Sequence, residues 1–122
     1  MTKACVEIIL KRYAYIVRGV MEERKFVAFY VGKRRQMIEI TEEARVVCRI
    51  IEDIAVREVD VDVRCMIDGI KKGRSDIAIL HDVNWEKNAY YDRKKKFIDK
   101  VYNCCICLRL VSYEEIINQL IR

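Results

Sequence analysis

The stretch Arg74-Ser75-Asp76-Ile77-Ala78-Ile79-Leu80-His81-Asp82-Val83-Asn84 decides how this chain reads. Ser75 is suited to cap a helix, because its hydroxyl can accept one of the amide protons that a first helical turn leaves without a partner. The helix it starts ends near His81. Asn84 caps a second helix, opened by Trp85 and carried through Asn88, Tyr90, Tyr91, Phe97, Ile98 and Val101 to about Leu108. Tyr90, Phe97, Val101, Cys104 and Leu108 share one side of that helix, while Lys87, Arg93, Lys95, Lys96 and Asp99 point largely elsewhere. The spacing therefore predicts two short-linked helices, the second amphipathic and basic outside. Ala78 becomes the small residue at their crossing, with Ile77 and Val83 packed inward. Asp82 falls where a turn favours glycine, and aspartate tolerates a left-handed conformation better than most residues.

Working upstream, Val63, Met66, Ile67 and Ile70 keep helical spacing, and Gly69 and Gly73 lie where a helix weakens and then stops. The spacing predicts a helix over about 60–71, although Val59-Asp60-Val61-Asp62-Val63 taken alone alternates like a strand. Thr41 is an N-cap residue with Glu42 and Glu43 behind it, at the positive end of the helix dipole. Its helix runs to about Val56 with Ala44, Val47, Ile50, Ile51 and Ile54 in the buried stripe. From about Ala4 to Met21, Val6, Ile9, Leu10, Tyr13, Ile16, Val17, Val20 and Met21 make one continuous helical face. Residues 26–40 admit two readings. Phe26-Val27-Ala28-Phe29-Tyr30-Val31 either extends the helix to about residue 30, followed by a basic loop, or pairs across Gly32-Lys33 with Met37-Ile38-Glu39-Ile40 as a short β-hairpin. The helical reading is preferred. Downstream, Ser112 caps a short helix from Tyr113 to Ile121 that docks through Ile116, Ile117, Leu120 and Ile121.

Composition agrees with this outline. At 122 residues and 14.5 kDa the chain supports one core, so residues 1–122 are read as a single domain. Residues 1–57 form its helical scaffold, 60–108 the paired-helix region and 112–121 the docking helix. Hydrophobic residues at 52% suffice for an interior, and the absence of proline with only four glycines points to an all-α fold. No apolar run approaches the roughly 20 residues a membrane helix needs, and no secretory segment opens the chain, so a cytoplasmic protein is expected. The six cysteines are accordingly read as reduced thiols. The formal charge of +5 is unevenly placed: residues 1–57 carry +4, residues 58–70 carry −3, residues 71–100 carry +4 and the remainder is neutral. The densest basic run is Arg93-Lys94-Lys95-Lys96, which suits a polyanionic partner.

A short helix, a tight turn and a basic second helix make a helix-turn-helix, in which the second helix enters the DNA major groove. At this point the chain resembles a family. Lys72-Gly73-Arg74-Ser75-Asp76-Ile77-Ala78-Ile79-Leu80 and Asn88-Ala89-Tyr90-Tyr91-Asp92-Arg93-Lys94-Lys95-Lys96-Phe97-Ile98 are similar to the C-terminal part of phage ArpU/RinA-type transcriptional regulators, small helical proteins with a sigma-factor region-four-like helix-turn-helix. The likeness covers about residues 66–108, and the turn Asn84-Trp85-Glu86-Lys87 is longer than that family's usual link. It implies a sequence-specific DNA-binding regulator of phage or mobile-element genes, acting beside RNA polymerase. Lys87, Asn88, Tyr91 and Arg93 would then read bases in double-stranded DNA, with Lys94, Lys95, Lys96 and Lys100 on phosphates. A homodimer is expected, because one recognition helix covers only a short half-site.

Other features favour structural roles. Trp85 reads as a packed residue at a helix start, Tyr90 as core, and His81, the only histidine, as structural. Tyr91 either binds phosphate or packs. Cys104-Cys105-x-Cys107 lacks the two separated pairs of a zinc site and reads as buried thiols, so neither metal nor cofactor is expected. Glu58, Asp60, Asp62 and Asp68 lack calcium-loop spacing and read as a solvent- or partner-facing surface. No Gly-rich phosphate loop, nucleophile elbow or histidine-based catalytic set is present, so the chain is not expected to be an enzyme. The competing reading is a protein-interaction adaptor that binds RNA polymerase or a repressor without touching DNA bases.

Overall fold

The computed structural model describes residues 2–108, and the expected helix at 112–121 lies outside them. In chain order the elements are α1 (Lys3–Lys11), α2 (Tyr13–Met21), β1 (Phe26–Val31), β2 (Arg34–Glu39), α3 (Glu42–Arg57), α4 (Val61–Lys71), α5 (Asp76–Asp82) and α6 (Lys87–Cys107). The helical majority agrees with the composition. Residues 26–40 take the hairpin, the less favoured of their two readings, and the single N-terminal helix needs correcting.

The single helix read over residues 4–21 is two. Arg12 (φ −112°, ψ 15°) leaves the helical conformation, its amide donating to the carbonyls of both Ile8 and Ile9 while its own carbonyl starts α2. Spacing continues across the break: Val6, Leu10, Tyr13 and Ile16 are all buried, so periodicity alone conceals it. Met21, expected in the stripe, is exposed.

The helix also does not continue to residue 30. Glu23 takes a left-handed φ of 55°, and the Arg24 amide closes back on the Gly19 carbonyl at 2.9 Å. That is a Schellman end, reached with glutamate where glycine is usual. The next element is a strand whose alternate residues Val27 and Phe29 are buried while Phe26, Ala28 and Tyr30 face out. Register pairs Phe26 with Glu39, Ala28 with Met37 and Tyr30 with Arg35, around a two-residue turn that has Gly32 at φ 62°. A glycine permits the hairpin to lie close on α2, because a Cβ at Gly19 would collide with Ile40 Cδ1 and sit 2.5 Å from Val27 Cγ2.

Thr41 caps α3 as expected, its Oγ1 accepting from the Ala44 amide at 3.1 Å. Asp60 caps α4, one carboxylate oxygen accepting from the amides of Asp62 (2.9 Å) and Val63 (3.1 Å). That cap, with Met66, Ile67 and Ile70 buried behind it, overrides the strand-like alternation of residues 59–63. The long α3 forms the centre of the core, with Val47 and Ile51 fully buried. Tyr13 on α2, Glu52 on α3 and Lys71 on α4 lock these helices together: the tyrosine hydroxyl donates to Glu52 Oε1, and the Lys71 ammonium lies 3.0 Å from the same carboxylate. The Tyr13 hydrogen bond holds the Glu52 carboxyl below its ordinary range; partial burial opposes this, and Lys71 reinforces it.

Around the decisive stretch, Ser75 caps α5 through its Oγ and the Ala78 amide (3.2 Å), as expected. One packing expectation needs correction: Ile77 is 72% exposed. Ala78 is half-buried, and the inward position of α5 is held by Ile79, which packs tightly against Gly69 of α4. With the cap fixed at Ser75, a helix of seven residues has one inward position per turn, and Ile79 occupies it. Asp82 does not adopt a left-handed turn: it is the last residue of α5 and pairs with Arg74.

Candidate nucleic-acid interface

The chain leaves α5 through an extended Val83 (φ −106°, ψ 153°), whose side chain is buried, and enters α6 at Lys87. Asn84 therefore does not cap the second helix and Trp85 does not open it. Glu86 holds the cap position without a side-chain hydrogen bond, while Trp85 is half-buried against the core. The indole gains more from that burial than from helical placement.

Along α6, Tyr90, Phe97, Val101, Tyr102 and Cys105 are the buried residues. Leu108, expected on the packed side, is exposed, and Cys104 is only half-buried. The difference arises because the far end of α6 packs against α1 as well as α3, which brings Tyr102 and Cys105 inward.

Asp76, the first residue of α5, ties the two helices. Its Oδ1 accepts from the Tyr90 hydroxyl at 2.6 Å and from the Lys94 ammonium at 2.9 Å. Partial burial of Asp76 disfavours its charge, but the hydrogen bonds from Tyr90 and Lys94, with the positive fields of Lys94 and Lys11, prevail and hold its pKa below the ordinary value. Burial and the same contact push the Tyr90 hydroxyl up. Tyr90 is thus core, as the sequence suggests. Lys94, expected to bind phosphate, has its ammonium directed to Asp76.

At about 100° per residue, the other expected contact residues divide between two flanks of α6. Lys87, Asn88, Tyr91 and Lys95 form one exposed strip. Arg93, Lys96 and Lys100 form a second, well around the helix. Arg93 places its guanidinium 5.7 Å from the Trp85 ring centroid, and Lys96 pairs with Asp92 one turn back at 3.2 Å. Arg93 is therefore separated from the other three expected base readers. Tyr91 is partly exposed and meets Tyr90 edge-on, with ring centroids 5.2 Å apart.

The first strip borders a cleft of about 860 Å³ between α1 and α6. Lys11, Arg12, Arg74, Tyr91, Lys94 and Lys95 line it, together with the acids Glu7, Asp76 and Asp99. Lys3 is neutralised by Asp99 at 3.0 Å. Lys11 and Arg12 were not among the expected contacts. They lie on a helix whose apolar stripe draws attention first, and only their adjacency in Lys11-Arg12 hinted at them.

The remaining candidates carry no such arrangement. Among the described residues, no three His, Cys, Asp or Glu side chains gather to hold a metal. Of the cluster read as buried thiols, Cys105 is buried, Cys104 half-buried and Cys107 exposed. His81, read as structural, is exposed. No described helix is long and apolar enough to cross a membrane. Neither protein-family models, curated proteins nor solved structures provide a match to this chain.

Proposed function

We propose that this protein is a non-enzymatic, sequence-specific DNA-binding regulator of phage or mobile-element genes, with the first half of α6 entering the major groove. The observation that carries the reading is the strip Lys87, Asn88, Tyr91 and Lys95, exposed on a helix anchored from behind by Tyr90 and Phe97. An amide such as that of Asn88 can pair bidentately with adenine, and a lysine at the helix start can reach guanine. Lys95, with Lys11 across the cleft, offers charge for the flanking phosphates, and Lys96 and Lys100 serve the opposite strand. A homodimer would double the short half-site, and RNA polymerase is the partner that the resemblance suggests.

The test is a duplex titration with randomised DNA at several salt concentrations. Selective enrichment of one sequence, lost in Asn88→Ala, supports the proposal. Absence of duplex binding at low salt overturns it.

A specific surface favours the alternative of an adaptor that binds a protein. Val56, Val59 and Val61 project into solvent at the α3–α4 junction, among Glu58, Asp60 and Asp62. An apolar patch rimmed by acid suits a basic, apolar partner segment. Recovery of a stable protein partner that is lost in Val59→Asp, with only generic duplex affinity, would select this reading.

A further inference from the structure

The β1–β2 hairpin presents an outer face that the folded chain does not use. Register places Phe26, Ala28 and Tyr30 of β1 on that face, opposite Glu39, Met37 and Arg35 of β2. Tyr30 is 68% exposed, Met37 59% and Phe26 51%. A solvated strand face ordinarily alternates to polar residues on its outer side, so this face departs from the pattern. Arg35 stands on it, with Lys33 in the turn and Lys25 before the strand beside it, all exposed, against the single acid Glu39; Arg34, paired with Val31, falls on the other face. Among the described residues none of these four cations is in an ion pair, whereas Lys71, Arg74, Lys94 and Lys96 all are.

The inner face explains why the hairpin is held firmly enough to present that surface. Phe29 lies beneath the Arg12 guanidinium, 4.5 Å from its ring centroid, and stacks obliquely on Tyr15 at 5.5 Å. Val27 and Phe29 are buried. The outer aromatic residues are thus carried on a sheet anchored to α2, with turn cations beside them.

We propose that the outer face of the hairpin is a binding surface for single-stranded nucleic acid, separate from α6. Tyr30 and Phe26 offer rings on which unpaired bases stack, and Lys33 in the turn and Arg35, opposite Tyr30, offer charge to the phosphates between them. Exposed rings interleaved with cations on a strand surface match this ligand because every base has a π-face and every linkage a negative charge. A duplex hides its base faces and would leave the rings unused. An acidic protein would satisfy the cations but not require the flat aromatic platform. The inference does not rest on the role given to α6.

The experiment is fluorescence anisotropy of the full chain with a labelled oligothymidine of about 12 nucleotides, a length within single-strand site sizes. A duplex of equal length is titrated in parallel. The wild type is expected to bind the single strand. Tyr30→Thr, which keeps strand propensity but removes the ring, should weaken binding about tenfold, while Tyr30→Phe should retain it. Lys33→Gln with Arg35→Gln should reduce the salt slope by about 1.4, from two lost phosphate contacts on a single strand. Unchanged circular dichroism keeps these results interpretable. No binding by the wild type, equal binding by Tyr30→Thr, or equal losses in Tyr30→Thr and Tyr30→Phe overturns the proposal. Single-strand binding without duplex binding sinks the α6 reading and leaves this one standing.

Discussion

Ile79 of α5 occupies the space that any side chain at Gly69 of α4 would need. A Cβ there would lie 2.7 Å from Ile79 Cγ1 and 3.0 Å from its Cδ1, both closer than ordinary carbon contacts. Both residues are buried, so neither helix can yield without disturbing the core beneath α5. This contact sets the approach of α5 to α4, and through Asp76 the placement of α6.

Gly69→Ala is therefore expected to destabilise the fold. Alanine would gain about 1 kcal/mol of helix propensity, but forcing a methyl group into a filled site costs about 1–3 kcal/mol, and the contact should win. A urea melt of the variant should show a lower midpoint at unchanged slope. A midpoint equal to or above that of the wild type would show that α5 moves freely over α4.

The ends of α2 and α4 make a matched comparison. In each, an amide beyond the helix returns to a glycine carbonyl inside it, Arg24 to Gly19 and Arg74 to Gly69. The left-handed residue is Glu23 in one and Gly73, at φ 73°, in the other. Left-handed backbone costs a residue with a Cβ about 1 kcal/mol. Glu23→Gly should accordingly stabilise by about 0.5–1 kcal/mol and Gly73→Ala destabilise by a similar amount, read from paired thermal melts. Space is not the issue at Gly73, where a Cβ would meet nothing within 4 Å.

How much of this could be read from residues depends on the range of each interaction. Thr41 and Ser75 cap helices through bonds three residues long, so local sequence suffices to place them. The hairpin was ambiguous because its deciding contact joins Gly19 to Val27 and Ile40, residues that only the folded chain brings together. Arg12 breaks a helix without proline or glycine and without interrupting the apolar spacing. In the candidate interface, exposure of Lys87 and Lys95 followed from helical period, while Tyr91 admitted either packing or exposure and proves partly exposed. The engagement of Lys94 by Asp76, eighteen residues away, did not follow from that period. Ile77 misleads for the same reason: its apolar chemistry predicts burial, but the phase of a short capped helix turns it outward.

Asp76 gives the fold an acid-sensitive link. Its folded-state pKa lies below the ordinary 3.8, so its contribution is present above that pH and fades as pH falls through the lower folded value. Asp76→Asn should cost about 1 kcal/mol near neutrality, the scale of one partly exposed ion pair with a charged hydrogen bond. The stability difference between wild type and variant should narrow below about pH 4 as the wild-type carboxyl gains its proton. A difference constant from about pH 7 to about pH 2 would show that the carboxylate charge is irrelevant to the α5–α6 link.

Thiol chemistry should follow burial. Burial, with the nearby Glu52 charge, pushes the Cys48 thiol up to about 11, and burial also raises Cys105. Reaction proceeds through the thiolate, so both should resist a maleimide at about pH 7 in the native protein while exposed Cys107 is modified. Mass spectrometry of digested, briefly labelled protein gives the order. Prompt labelling of Cys48 would mean that α3 opens readily from the core.

Adjacent lysines on α6 should separate folding from binding. Both border the cleft, but Lys94 is directed at Asp76 and partly covered, whereas Lys95, beside Tyr91, is exposed. Lys94→Ala should lower stability by about 1 kcal/mol, since it leaves Asp76 with one donor fewer, and should barely change the salt dependence of duplex binding. Lys95→Ala should leave the melt unchanged, weaken binding to all duplexes, and reduce the salt slope by about 0.9, the share of one phosphate contact. Parallel melts and duplex titrations check both halves of the contrast. If Lys94→Ala flattens the slope as much as Lys95→Ala, the Asp76 pair opens when DNA binds. If neither changes it, the cleft-side flank of α6 does not face a phosphate backbone.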